Sequence, residues 1–357
     1  MIHISKRGSL SRGSTLVIRL AGLLVGVLLC VLITVVATGT APGDLFAAVV
    51  KGSFGSARKT WVFLQNTAIL LLISLAVTPA FRMRCWNLGA EGQVLAGAMA
   101  TAACMILLSQ KVSGTAVYFC MFFSAVAAGA LWAAVPAVFK ARFNTNETLF
   151  TLMMNYVAMQ LVSYFCVRWE NPKGSSQIGV INSSTKFGWL PQLSNRYLLP
   201  IVVAVIMTVL VYIFLNYTKH GFELTVVGES ERTARYVGIK VERVIVRTML
   251  LSGAICGLTG FLLVGGINHT VSSNAAGGQG FTAVMVSWLA KFNPAVMMLF
   301  SALLIFLGAG ANELATSNGL NQSFGDMLTA ILIFCIIGSE FFINYKINFR
   351  HAAGKEG

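Results

Sequence analysis

Apolar runs of about 20 residues recur along the whole chain, separated by short polar or glycine-rich breaks. A run of that length is what an α-helix needs to cross a bilayer core of about 30 Å at about 1.5 Å per residue. The pattern predicts crossing helices over Leu16 to Thr38, Trp61 to Ala80, Gly89 to Ser109, Thr115 to Ala137 and Glu147 to Val167. A second group covers Leu198 to Tyr217, Thr248 to Ile267, Pro294 to Ala311 and Met327 to Tyr345, with an amphipathic interfacial piece over Asp44 to Lys59. Gln279 to Lys291 spans only 13 residues, between the glycine-rich Ala275-Ala276-Gly277-Gly278-Gln279-Gly280 and Asn293-Pro294, and reads as a half-helix or re-entrant element. Irregular backbone at membrane depth is tolerated only where protein buries it or water fills a cavity, so a broken helix points to a transport path. The expected fold class is all-α: a polytopic membrane protein with about ten transmembrane or re-entrant helices, drawn as one transmembrane domain over residues 1–357.

Composition removes the soluble alternatives. Of 357 residues, 56% are hydrophobic and 11% charged, whereas soluble chains carry about 25% charged residues. The net charge of +14 comes from 26 basic against 12 acidic residues. With the N-terminus inside, the predicted topology puts eight basic residues outside (Lys51, Arg58, Lys59, Lys111, Arg168, Lys173, Lys186 and Arg196) and the other 18 of the 26 inside. That asymmetry follows the positive-inside rule and predicts cytoplasmic N- and C-termini, provided the short 279–291 element crosses. The basic residues form no soluble basic module, which excludes nucleic-acid binding. Cys30, Cys85, Cys104, Cys120, Cys166, Cys256 and Cys335 show no metal or redox spacing and read as small buried hydrophobes. The first apolar run exceeds a signal-peptide core and reads as an anchor helix.

Catalytic and metal signatures are missing from the sequence. It holds no GxxxxGK[ST], HExxH or GxSxG pattern, so neither an ATP-hydrolysing nor a metal-dependent centre is expected in this chain. Its polar chemistry is concentrated elsewhere. Trp86-Asn87-Leu88-Gly89-Ala90-Glu91-Gly92-Gln93 sets a carboxylate and two amides at the head of a span, where ionisable groups are costly. Asn87, Glu91 and Gln93 line or gate a path for a hydroxylated solute, or Glu91 simply caps a helix start. Asn155, two turns into the span that Asn146 caps, either bonds a neighbouring helix or lines the same path. Gly253, Gly257 and Gly260 make a stripe for close helix packing. In the inner loop 218–247, a short helix starts at Ser230 and stops at Gly238, too short to persist in water without a surface to pack on. The outer loop 168–197 reads as a folded cap or docking surface.

These segments resemble a known family. WNLGAEGQ, NETLFTLMMNYVA, VGESERTARYVGIKVERV, LSGAICGLTG and GFTAVMVSWLAKFNP, in this order from about Arg82 to Pro294, are similar to the permease subunits of bacterial ABC importers for simple sugars and nucleosides, which share a larger family with branched-chain amino acid and ribose permeases. Trp86 stands where that family usually has Phe. The resemblance implies a non-catalytic permease in the bacterial inner membrane, with no cofactor of its own and ATP bound by a partner. It implies three partner proteins: an ATPase subunit, a second permease subunit and an extracytoplasmic solute-binding protein. Carried onto this chain, Gly228 to Gly238 becomes the ATPase-coupling helix, with Gly228, Glu229, Arg235, Tyr236 and Gly238 as its residues, and Asn87, Glu91, Gln93 and Asn155 become the substrate path. The competing expectations are an ion-coupled transporter using Glu91 or Glu340, and a structural membrane scaffold.

Overall fold

The computed structural model describes residues 2–6, 11–39, 42–109, 111, 113–192 and 195–349. Helices α1 (Arg12–Thr38), α2 (Pro42–Phe54), α3 (Ala57–Arg82), α4 (Ala90–Leu107), α5 (Gly114–Phe143), α6 (Glu147–Arg168) and α7 (Leu198–Tyr217) are followed by two short inner helices, α8 (Lys219–Glu229) and α9 (Glu231–Tyr236). The chain continues through α10 (Val241–Leu262), a π-helical turn at Leu263–Asn268, α11 (Gln279–Leu289), α12 (Pro294–Ser317) and α13 (Gln322–Asn344). Among the described residues, nine helices are long and apolar enough to cross a membrane. The eleven-residue α11 is not one of them, as its length predicts.

The all-α expectation needs one addition. Strands β1 (Ile2–Lys6) and β2 (Tyr345–Phe349) pair antiparallel, Ile4 opposite Ile347. Both alternate apolar and polar residues, a period of two that suits a ribbon and not a helix. The ribbon brings residues 2–6 and 345–349 side by side.

Contacts within the chain group into two compact units, residues 1–63 with 303–357 and residues 64–302. In the first, α1 packs on α13, where Gly22 and Gly26 lie against Ser339 and Cys335. Ion pairs Arg19–Glu340 at 2.5 Å and Lys59–Glu313 at 2.7 Å add to it. In the second, α4, α5 and α10 meet backbone to backbone. A Cβ on Gly257 would press on the Ala125 carbonyl, one on Gly253 on that of Gly129, and one on Gly97 would come within 2.6 Å of Gly257. The glycine stripe expected on α10 therefore is a packing stripe, and Gly97 and Gly129 are its partners on α4 and α5. Four of the seven free cysteines are buried, but Cys104 and Cys335 are half-buried and Cys120 is exposed, because the latter sits on the outward face of α5.

The segment after α6 folds as a cap on the π-helical turn. Trp189 stacks on His269 with ring centroids 3.8 Å apart, and its indole donates to the Ile181 carbonyl at 2.9 Å. Leu190 N–H donates at 2.9 Å to the carbonyl of Gly265 inside the π-helical turn. A π turn shifts the helical hydrogen-bond register, and here a cap amide takes up one of its carbonyls.

Candidate transport site

Between Arg82 and Ala90 the chain leaves the helix and runs irregularly into the bundle, with Arg84 at φ +59°. Asn87 Nδ2 reaches Ser252 Oγ at 2.9 Å, and Ser252 lies about one turn past Thr248, where the apolar part of α10 begins. This irregular stretch therefore sits at membrane depth, where each backbone polar group needs a partner. Those partners are side chains. Asn87 Oδ1 accepts from Gly89 N–H at 3.0 Å and from Gln93 Nε2 at 3.1 Å. Thr151 Oγ1 accepts from Leu88 N–H at 3.1 Å, and Asn155 donates to the Leu88 carbonyl and accepts from Gly92 N–H, both at 2.8 Å.

Glu91 closes the arrangement. Its two carboxylate oxygens accept from Gly278 N–H at 2.9 Å and from Gly280 N–H at 2.8 Å. It caps a helix, but that helix is α11 and not its own α4. The first N–H groups of α11 have no intrahelical partner, and a carboxylate is favoured there both as acceptor and as countercharge to the helix dipole. A Cβ on Gly280 would come within 2.8 Å of the Glu91 carboxylate and Cα, so glycine at that position is what admits the contact. Asn87, Glu91, Gln93 and Asn155 are thus gathered into one fully buried polar knot joining α4, α6, α10 and α11. Sequence reasoning missed Thr151, Ser252 and Gly278, whose signal was weak because hydroxyls and glycines abound in the spans. Next to the knot, Trp132 Nε1 and Gln279 Oε1 are buried without a hydrogen-bond partner among the described residues.

Beyond α8, Ser230 Oγ accepts from Thr233 N–H at 3.2 Å and so caps α9. At the other end Gly238 adopts φ +83°, while its N–H and that of Ile239 bond the carbonyls of Arg235 and Ala234. That is the left-handed stop anticipated at Gly238. Tyr236 is 92% exposed, and Arg235 pairs with Glu242 at 2.8 Å. The preceding α8 was not anticipated: Thr218 caps it, and Leu224 and Val227 bury its inner side. A Cβ on Gly228 would strike the Arg82 carbonyl, so α8 rests directly on the end of α3.

Arg247 donates to Glu223 at 2.6 Å, tying α8 to α10. That hydrogen bond, with the nearby His220, holds the Glu223 carboxyl below its ordinary value of about 4.3. The stabilisation is present above the ordinary carboxylate range and is lost as pH falls through the lowered folded value. Glu223→Gln is therefore expected to flatten the acid limb of thermal stability in detergent. An unchanged acid limb would show that Glu223 carries none of it.

Helix ends stitched together at membrane depth by a buried carboxylate and amides characterise proteins that move solutes, since a scaffold has no need of broken spans. The class is a multi-pass membrane transport protein. Residues 62–337 match the family described as branched-chain amino acid transport system / permease component, and the chain belongs to that family. The guanosine ABC transporter permease protein NupP of Bacillus subtilis is 30% identical over 301 residues, 82% of this chain and 85% of its own length. The glucose ABC transporter permease protein TsgB13 of Haloferax volcanii is 30% identical over 329 residues, 86% of this chain and 82% of that one. The nucleoside ABC transporter permease protein NupB of Lactococcus lactis is 27% identical over 304 residues, 82% of each. The ion-coupled expectation gains no support: these relatives are named as ABC permeases, Glu91 is engaged by backbone amides, and Glu340 is paired with Arg19.

Proposed function

We propose that the chain is the membrane-spanning permease subunit of an ATP-driven importer in the bacterial inner membrane, carrying a nucleoside or a simple sugar by alternating access. The observation that carries this reading is the capped α9, a six-residue helix fixed at both ends that holds out a tyrosine with nothing to cover it. Such a helix suits a groove on a neighbouring protein, and the partner that fits is an ATPase subunit that binds and hydrolyses the nucleotide. Glu229, Arg235, Tyr236 and Gly238 are the docking residues. Gly228 is the seat through which α8 presses on α3.

The mechanical link runs through the chain itself. The end of α3 that carries α8 leads within nine residues to Glu91, so a push on α9 reaches the polar knot by way of the irregular 83–89 segment. Closure of the ATPase pair would shift that segment and, through Glu91, the N-terminus of α11. Asn87, Glu91, Gln93 and Asn155 act as the joint of the gate, sealed in this conformation. A second permease subunit forms the other wall, and an extracytoplasmic binding protein delivers solute to the cap side. The names of the relatives support the solute class.

Tyr236→Ala is expected to weaken association with the ATPase about thirtyfold, the effect of losing a central aromatic anchor of about 2 kcal/mol. Solute uptake should fall with it, while membrane insertion and size profile in detergent stay as in the parent. Undiminished association would remove α9 from the coupling role. Uptake that persists without any ATPase would overturn the proposal itself.

A further inference from the structure

The outward faces of the spans are not alike. On α7 the exposed positions at mid-helix include Val205, Ile206, Val209 and Leu210, with Tyr212 the one exposed polar-tipped ring among them, and on α5 they include Phe123, Leu131 and Val135, as lipid contact demands. Several hydroxyls within other spans are turned back onto their own helix, Thr208 onto the Ala204 carbonyl and Thr248 onto that of Val244, each at 2.7 Å. Helix α6 exposes apolar side chains as well, Met153, Val157 and Leu161 among them, but a polar stripe runs beside them. Tyr156 is 57% exposed and Tyr164 71%, and Gln160 between them is exposed too. None of the three side chains has a hydrogen-bond partner among the described residues. At four-residue spacing they lie on one face. Counted from Glu147 they stand about 13, 19 and 25 Å along a helix of about 33 Å, through its middle and outer thirds. Uncovered amide and phenol groups at that depth are costly against hydrocarbon.

We infer that the Tyr156–Gln160–Tyr164 stripe is the solute-contact wall of the path, and that it suits an uncharged solute with a planar heterocycle, a nucleoside and not a plain sugar. The inference rests on the permease reading and deepens it. Two further observations point the same way. The opposite face of the same helix carries Asn155 into the polar knot, so the stripe and the gate share one rigid element. No acidic or basic side chain lies between Glu147 and Arg168 on α6, which leaves a charged solute uncompensated. The two phenol rings offer faces on which a base can stack, and the Gln160 amide offers one donor pair and one acceptor for its edge.

The test uses the full chain assembled with its partner subunits. Gln160→Cys and Tyr164→Cys are compared with Val209→Cys for labelling by a membrane-impermeant methanethiosulfonate reagent, with the parent as baseline. Labelling at the two α6 positions and none at Val209 is expected; no labelling above baseline on α6 would put the stripe against lipid and overturn the inference. Maximal uridine uptake, which reports translocation more than capture, is then measured. Tyr156→Ala is expected to lower it about tenfold, within the range lost when a base loses its stacking partner, and Tyr156→Phe to restore it to within about twofold, since the ring does the stacking. If phenylalanine fails like alanine, the hydroxyl and not the ring is read, and the heterocycle assignment falls. If both variants transport as the parent does, the stripe does not touch solute, while ATPase-dependent uptake leaves the permease reading standing. A parent system that ignores uridine but imports ribose sinks the nucleoside class before any variant is made.

Discussion

Glu91→Ala is expected to give a chain that inserts into the membrane but imports solute at least tenfold more slowly and melts at a clearly lower temperature in detergent. Two backbone N–H groups of α11 lose their shared carboxylate and are left buried. Hydrogen bonds to a charged group contribute about 1.5–3 kcal/mol each, so about 3 kcal/mol or more is at stake. A displacement of α11 worth only about 1.4 kcal/mol already changes the balance of two states tenfold. Glu91→Gln keeps one acceptor oxygen and should fall between parent and alanine in both measurements. If the alanine variant melts as the parent does, Glu91 does not anchor α11, and the knot loses its role as a joint.

Gly257→Leu should be more damaging still to folding. Overpacking a core typically costs about 1–3 kcal/mol because neighbouring side chains shift. At Gly257 the neighbours are main chain, the Ala125 carbonyl on α5 and Gly97 on α4, and a backbone in a packed bundle cannot turn aside. The expected outcome is loss of the folded, monodisperse fraction in fluorescence-detected size exclusion. Gly338→Ala is the control: a Cβ there meets nothing within 4 Å, and alanine favours the helix, so stability should hold or rise by about 0.5–1 kcal/mol. A folded Gly257→Leu chain would show that α4, α5 and α10 can separate, contrary to the packing described above.

The span positions were legible because hydrocarbon imposes a length on every crossing helix; Leu198 to Tyr217 agrees with α7 at both ends. Ends were misjudged where polar residues continue a helix into water. Thus α3 starts at Ala57 and not Trp61, and α10 at Val241 and not Thr248, since Lys and Arg are tolerated in the turns beyond the apolar core. α9 was readable from Ser230 and Gly238 because caps are local chemistry. α8 was not, because Leu224 and Val227 are too few to mark a period and gain their burial only from tertiary contact.

Asn87, Glu91, Gln93 and Asn155 stood out in the sequence as polar groups in expensive places, and cost is a property of residue and depth alone. What each group bonds was beyond the sequence: Glu91 is joined to Gly278 across 187 residues, and no local pattern encodes a partner so distant. The Tyr156–Gln160–Tyr164 stripe shows the same division in reverse. Its three residues are ordinary in a helix, and only the packing of the bundle decides that this face stays uncovered while Asn155, one residue before the first tyrosine, is sealed inside. By itself, then, the sequence determined the spans and the caps, which depend on solvent and short-range bonding. Tertiary structure alone decided which polar groups meet and which face is open, because those follow from how helices far apart in the chain close on one another.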